Sequence, residues 1–110
     1  MFTHSDVISF HCYANKQGME KRIADLKRFQ RPMFCTEYMA RPFGSTFEEI
    51  LPLFKEHNIG AYNWGFVAGK SQTHCPWDSW QKPYVDEAGK AKEPPVWFHD
   101  IFRTDGTPYR

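Results

Sequence analysis

The sequence has no excess charge of either sign. Fourteen Lys and Arg face thirteen Asp and Glu, a formal net charge of +1 over 110 residues. That excludes the electrostatic footprint of a nucleic-acid binder or of a chain held on an anionic membrane. Cysteine is scarce as well. Cys12, Cys35 and Cys75 are odd in number and form no CxxC pair, so neither a disulfide framework nor a zinc knuckle is signalled. Three free thiols are expected, with Cys12 and Cys35 buried inside apolar runs. Long hydrophobic runs are missing, which removes a membrane-spanning helix. Met1 to Asp6 has no basic region and no apolar core, so no signal peptide is visible in this chain. A soluble protein is expected, and its address, secreted or cytoplasmic, stays open. Low-complexity tracts are also absent, and 41% hydrophobic residues exclude disorder by composition.

Aromatic residues are plentiful. Ten Phe, five Tyr and four Trp make up 17% of the chain. A core of this size does not need four Trp, so some of them are expected to face a ligand. The length fits one ordinary domain or a piece of a larger one.

Along the chain, strand-like and helix-like stretches alternate. Val7 to Tyr13 is β-branched and aromatic and reads as a buried strand. Met19, Ile23, Leu26 and Phe29 recur at helical spacing among charged residues, and Arg31-Pro32 closes that helix. Met33 to Tyr38 reads as a second strand. Ser45 and Glu48 fit a capping box, ahead of a helix whose apolar face is Phe47, Ile50, Leu51 and Phe54. Asn58 suits a left-handed cap, and Ile59 to Trp64 reads as a third strand. The stretch from about Gly65 to Pro94 has no periodicity. At that length it is expected to be a functional loop, ordered by Trp77, Trp80 and Tyr84. Pro94-Pro95 then open a short predicted helix through Val96, Trp97, Phe98, Ile101 and Phe102.

Strands alternating with helices predict a parallel sheet with right-handed crossovers. Each unit takes about 30 residues, the spacing of a (β/α) barrel of eight units and about 250 residues. Three units do not close a barrel. The expected fold is therefore α/β, residues 1–110 forming the C-terminal part of one barrel, with two open strand edges.

In such a barrel the chemistry sits at the C-terminal ends of the strands. Those ends carry His11 and Tyr13, then Glu37, then Trp64. A carboxylate closing an apolar strand is costly unless it is paired or functional; a surface position, or a partner in Arg41, is the plain alternative. His11 and Tyr13 share a side of their strand, as a ligand-facing pair or as a hydrogen-bonded core pair. Trp64 either caps the core or offers a flat face to the C–H groups of a sugar.

Phe10-His11-Cys12-Tyr13, Cys35-Thr36-Glu37-Tyr38 and Tyr62-Asn63-Trp64-Gly65, in that order, resemble the last three strands of the retaining glycoside hydrolases of clan A. The nearest likeness is to the family 5 cellulase-like group, whose relatives are often called cellulases or 1,4-β-xylanases. Gly69 to Thr73, Pro76 to Trp80 and Pro94 to Asp100 are similar to one subgroup of these barrels, so the resemblance spans nearly the whole chain. It implies that Glu37, ending barrel strand seven, is the nucleophile. Tyr13 would hydrogen-bond it, His11 would lie beside it on strand six, and Trp64 would floor the −1 sugar subsite. Lys70, Gln72, Trp77 and Trp80 would contact sugar hydroxyls and faces from the long loop. A retaining glycosidase needs a second carboxylate about 5–5.5 Å from the first, to protonate the leaving oxygen. In this family that Glu follows an Asn at the end of strand four, a segment outside this chain. Asp6, Asp78, Asp86, Glu87 and Glu93 end no strand; Asp78 is the best of them, as a loop hydrogen-bonder or substrate contact.

The expectation is thus a hydrolase of β-linked glycans acting with retention. It is inactive as this chain alone, needs the N-terminal part of its barrel, uses no cofactor and takes an oligo- or polysaccharide. The alternative is a non-catalytic carbohydrate-binding or interaction module derived from such a barrel. His4, His11, His74 and Cys75 show no metal-ligand spacing, and Gly65 to Gly69 lacks a phosphate-loop pattern.

Overall fold

The computed structural model describes residues 2–109, which divide into two compact units at Trp64/Gly65. In the first unit, strand β1 (Ile8–His11) leads to helix α1 (Lys16–Lys27), strand β2 (Met33–Glu37), helix α2 (Phe47–Glu56) and strand β3 (Ile59–Ala61). The three strands are parallel, in the order β1-β2-β3. The unit is a small α/β fold with the predicted element order. Among the described residues β1 and β3 are each paired on one side only.

Alternation along the strands fixes the core. Ile8, Phe10, Met33, Cys35 and Ile59 are buried with Met19, Ile23 and Leu26 of α1 and Ile50, Leu53 and Phe54 of α2. The intervening residues Ser9 and Phe34 are exposed. Phe34 lies over Gly60 on the neighbouring strand, where a side chain would collide with its ring. The Asn15 side chain caps α1 by accepting from the Gly18 N–H at 3.1 Å. Asn58 follows α2 with φ 54°, the left-handed cap expected of it.

Three local expectations are corrected. Helix α2 has Thr46 as its N-cap, without a side-chain cap bond, so there is no Ser45–Glu48 capping box. Ser45 is fully buried, and its hydroxyl donates to the Tyr38 carbonyl at 2.5 Å. A buried hydroxyl must find a partner, and here the carbonyl just past β2 outcompetes the helix end. On the same helix Leu53, not Leu51, faces the core: Leu51 is 39% exposed and Leu53 5%. With Ile50 and Phe54 inward at i and i+4, position 53 completes that stripe and position 51 turns off it.

The third correction is the helix expected from Pro94 to Phe102, which does not form. Trp97, Phe98, His99 and Asp100 are all buried, and four consecutive buried residues cannot share one helical face. Their backbone bonds run to a distant stretch instead. Phe98 and His99 donate to the carbonyls of His74 and Thr73, and Ile101 and Phe102 both donate to that of Phe66. The rest of the second unit is turns, one 3-10 turn at Trp77–Trp80 and isolated bridges, in keeping with an aperiodic reading.

Candidate active site

The pairing of β1 with β2 is in step at Ile8↔Met33, Ser9↔Phe34 and Phe10↔Cys35, then slips so that His11 faces Glu37. The skipped residue is Thr36, whose hydroxyl donates to the Phe10 carbonyl at 3.3 Å. Cys12 N–H then donates to the Glu37 carbonyl at 2.9 Å, which carries the ladder past the irregularity. Bulges re-aim side chains in this way. Sequence reading did not single out Thr36, because a bulge leaves no mark in so short a strand.

The slip brings three predicted residues together around one carboxylate. The Tyr13 hydroxyl donates to Glu37 Oε2, and His11 Nδ1 lies 3.5 Å from Oε1. Each oxygen thus has a different neighbour, a phenol on one and an imidazole on the other. The Glu37 side chain is 19% exposed, enough for a ligand to reach it, while His11 at 55% stands at the rim. Arg41, the alternative partner, lies on the 3-10 turn Arg41–Phe43.

Burial, with the bond to Glu37 and the charge of its carboxylate, pushes the Tyr13 phenol well above its ordinary value of 10. Tyr13 therefore stays a donor at any physiological pH. Burial also raises Tyr38 above 10 and pushes the Cys35 thiol up to about 12 from 9. A raised folded-state value favours the neutral form. The stability that these groups contribute is complete below the unfolded values and is lost as pH climbs through 9 to 10 towards the folded ones. The urea midpoint is expected to hold steady to about pH 9 and then fall, less steeply in Tyr13→Phe. A midpoint unchanged to about pH 11 would contradict this burial.

Trp64 lies past the end of β3, whose pairing with β2 closes at Cys35↔Ala61 and the Tyr62 N–H to Cys35 carbonyl bond of 2.9 Å. Its ring is 56% exposed, so it does not simply cap the core.

The remaining predicted residues belong to the second unit. Lys70 and Gln72 are exposed, Gln72 on a tight turn with φ 54°. Trp77 donates its indole N–H to His99 Nε2 at 2.9 Å, whereas Trp80 is 91% exposed. Three of the predicted loop carboxylates have structural partners. Asp78 Oδ2 is 3.5 Å from Lys82 Nζ, Asp86 accepts from the Ala88 and Lys90 N–H groups, and Glu93 pairs with Arg103 at 3.3 Å.

One carboxylate escaped the sequence reading. Asp100 is fully buried; it accepts from the Thr73 hydroxyl at 2.7 Å and lies 3.6 Å from His74 Nδ1. A side chain at Gly65 would run into it. Its partner Thr73 is 27 residues away in sequence, so no local pattern announces it.

Among the described residues no group of three or more His, Cys, Asp or Glu could hold a metal ion, and no helix is long and apolar enough to cross a membrane. The cysteines are free thiols, Cys35 buried and Cys12 and Cys75 half-buried. Comparison with protein-family models, curated proteins and solved structures found no match.

Proposed function

We propose that the chain is the C-terminal part of a (β/α)8 glycoside hydrolase barrel, similar to the family 5 cellulase-like group, and that Glu37 is the nucleophile of a retaining reaction on a β-linked glycan. The observation that carries this reading is the carboxylate at a strand end, held between the Tyr13 hydroxyl and the His11 imidazole. A carboxylate fixed by a donor on one oxygen is oriented, as a nucleophile must be.

In the first step Glu37 attacks the anomeric carbon, forming a glycosyl ester while the C–O bond to the leaving sugar breaks. A second carboxylic acid, from the part of the barrel outside this chain, gives its proton to that oxygen. It then takes a proton from water, which attacks the same carbon and releases Glu37. Trp64 would support the sugar in this site, and Lys70, Gln72, Trp77 and Trp80 are carried over from the resemblance as candidate sugar contacts of the second unit. No cofactor enters the scheme. The second reading, a non-catalytic carbohydrate-binding module, draws on the exposed rings of Trp64 and Trp80 and on the single site carboxylate.

A substrate that needs no acid separates the two. Fluoride leaves without protonation, so 2-deoxy-2-fluoroglycosyl fluorides of the gluco, manno and xylo series test Glu37 without its partner carboxylate. The expected result is an intact-mass gain of one fluorosugar, mapped to the peptide containing Glu37. No label from any of the three, or a label elsewhere, removes Glu37 from the nucleophile's role.

A further inference from the structure

One-residue slips are rare between parallel strands, whose evenly spaced bonds favour an unbroken register. The slip between β1 and β2 therefore has to be held. Had the ladder stayed in step past Phe10↔Cys35, Thr36 would face His11 and Glu37 would face Cys12. Three bonds fix the chain in the other arrangement. After the skipped residue, the Glu37 carbonyl accepts from the Cys12 N–H at 2.9 Å and from the Cys35 thiol at 3.3 Å. Before it, the Thr36 hydroxyl donates to the Phe10 carbonyl at 3.3 Å. The main chain that carries Glu37 is thus tied on both sides.

These ties differ in what else they do. The Cys12 N–H belongs to the backbone and is there whatever the side chain. Cys35 is fully buried in the core cluster, so replacing it would disturb packing together with the bond. Thr36 is half-buried and stands outside that cluster. Its hydroxyl bonds to the Phe10 carbonyl and to no other group among the described residues. Its branched side chain is stiff, which restricts where the hydroxyl can point. Of the three, it is the tie that can be cut without opening the interior.

We propose that Thr36 is a positioning residue: through its hydroxyl it holds the slip that sets the Glu37 carboxylate opposite His11. It touches no reacting atom and acts only through Glu37. Its bearing on catalysis rests on the reading of Glu37 as nucleophile; its hold on the slip does not.

The test compares Thr36→Val, which keeps the branched shape without the hydroxyl, with Thr36→Ser, which keeps the hydroxyl. Both are made in the 110-residue chain and labelled with the 2-deoxy-2-fluoroglycosyl fluorides, separating the saturating rate constant from the concentration that gives half of it. Thr36→Val is expected to lower the rate constant about tenfold, the scale of a small misplacement of a reacting group. The half-rate concentration and the urea midpoint stay near the parent's, and Thr36→Ser restores most of the rate. Ser9→Ala, a hydroxyl removed where the strands are in step, is expected to label as the parent does. A merely structural residue would lower the midpoint and leave the rate intact.

The proposal is overturned if Thr36→Val labels at the parent's rate, if Thr36→Ser is as slow as Thr36→Val, or if the loss lies wholly in the half-rate concentration. Amide hydrogen exchange at Cys12, whose N–H crosses the slip, reads the geometry without a sugar. It is expected to be several-fold faster in Thr36→Val than in the parent or Thr36→Ser, and unchanged exchange would overturn the hold on the slip. A parent chain that takes no label removes the nucleophile reading of Glu37, and Thr36 is then judged by exchange alone.

Discussion

Glu37→Gln is expected to abolish fluorosugar labelling of the chain and, once the barrel is completed with its N-terminal units, to lower turnover on the order of 10⁴-fold or more. Losses of that scale follow the removal of a covalent nucleophile. The substitution is a clean one. The amide keeps the shape of the carboxylate and an oxygen to accept from Tyr13, so the contacts at the end of β2 survive while nucleophilic charge is lost. Thermal and urea unfolding are therefore expected to match the parent. The stronger form of the test is Glu37→Ala with added azide. Azide enters the vacated space and attacks the anomeric carbon from the same side as Glu37, turning an activated β-glycoside into an α-glycosyl azide. Recovery of that product identifies Glu37 by stereochemistry as well as by rate. A Glu37→Gln enzyme that turns over normally would leave His11, Tyr13 and Glu37 as a structural cluster.

The second large effect concerns the fold. Phe54→Ala is expected to cost about 3–5 kcal/mol, the range for deleting a buried aromatic ring. Phe54 is 1% exposed and meets Tyr38 edge to face, with centroids 5.3 Å apart and planes at 76°. Its loss removes one of the ring contacts between α2 and Tyr38, the residue after Glu37; Phe47 supplies another. Small domains have only about 5–15 kcal/mol in all, so much of the unit's stability would go. Leu51→Ala is the matched control, expected to cost about 0.5 kcal/mol because a surface residue leaves no cavity. Urea unfolding followed by circular dichroism reads both. A large loss at Leu51 with a small one at Phe54 would rotate α2 away from the described packing.

These two helical positions also show what was readable in the sequence. The element order, the parallel pairing and the inward stripe of α1 follow from periodicity, a property of each segment alone. So does the placing of His11, Tyr13 and Glu37 at neighbouring strand ends, but the slip that sets His11 opposite Glu37 does not. What escaped depends on partners far along the chain. Ser45 has the composition of a cap but pairs with the Tyr38 carbonyl. Pro94 to Phe102 looks like the start of a helix, yet its backbone bonds go to Phe66, Thr73 and His74. Asp100 is surrounded in sequence by aromatic residues, and its neighbours Thr73 and His74 come from a stretch that reads as plain loop. Trp77 and Trp80 are alike in sequence, and only the position of His99 tells them apart.

The slip between β1 and β2 has a consequence for how such a site can change. From Ile8 to Phe10 the two strands are in phase, and that stretch carries Ile8, Phe10, Met33 and Cys35 of the core. Beyond it they are one step out of phase, and that stretch carries the carboxylate and its imidazole neighbour. Loss of the single codon for Thr36 would bring the strands back into phase and carry Glu37 one place down the ladder, with its side chain turned to the opposite face. The pairs Ile8↔Met33 to Phe10↔Cys35 would stay, but Tyr38 and Met39, buried in the core just past the carboxylate, would shift with it. The working end of this sheet is thus tied to its foundation through the two residues that follow it, and one three-nucleotide step reaches both.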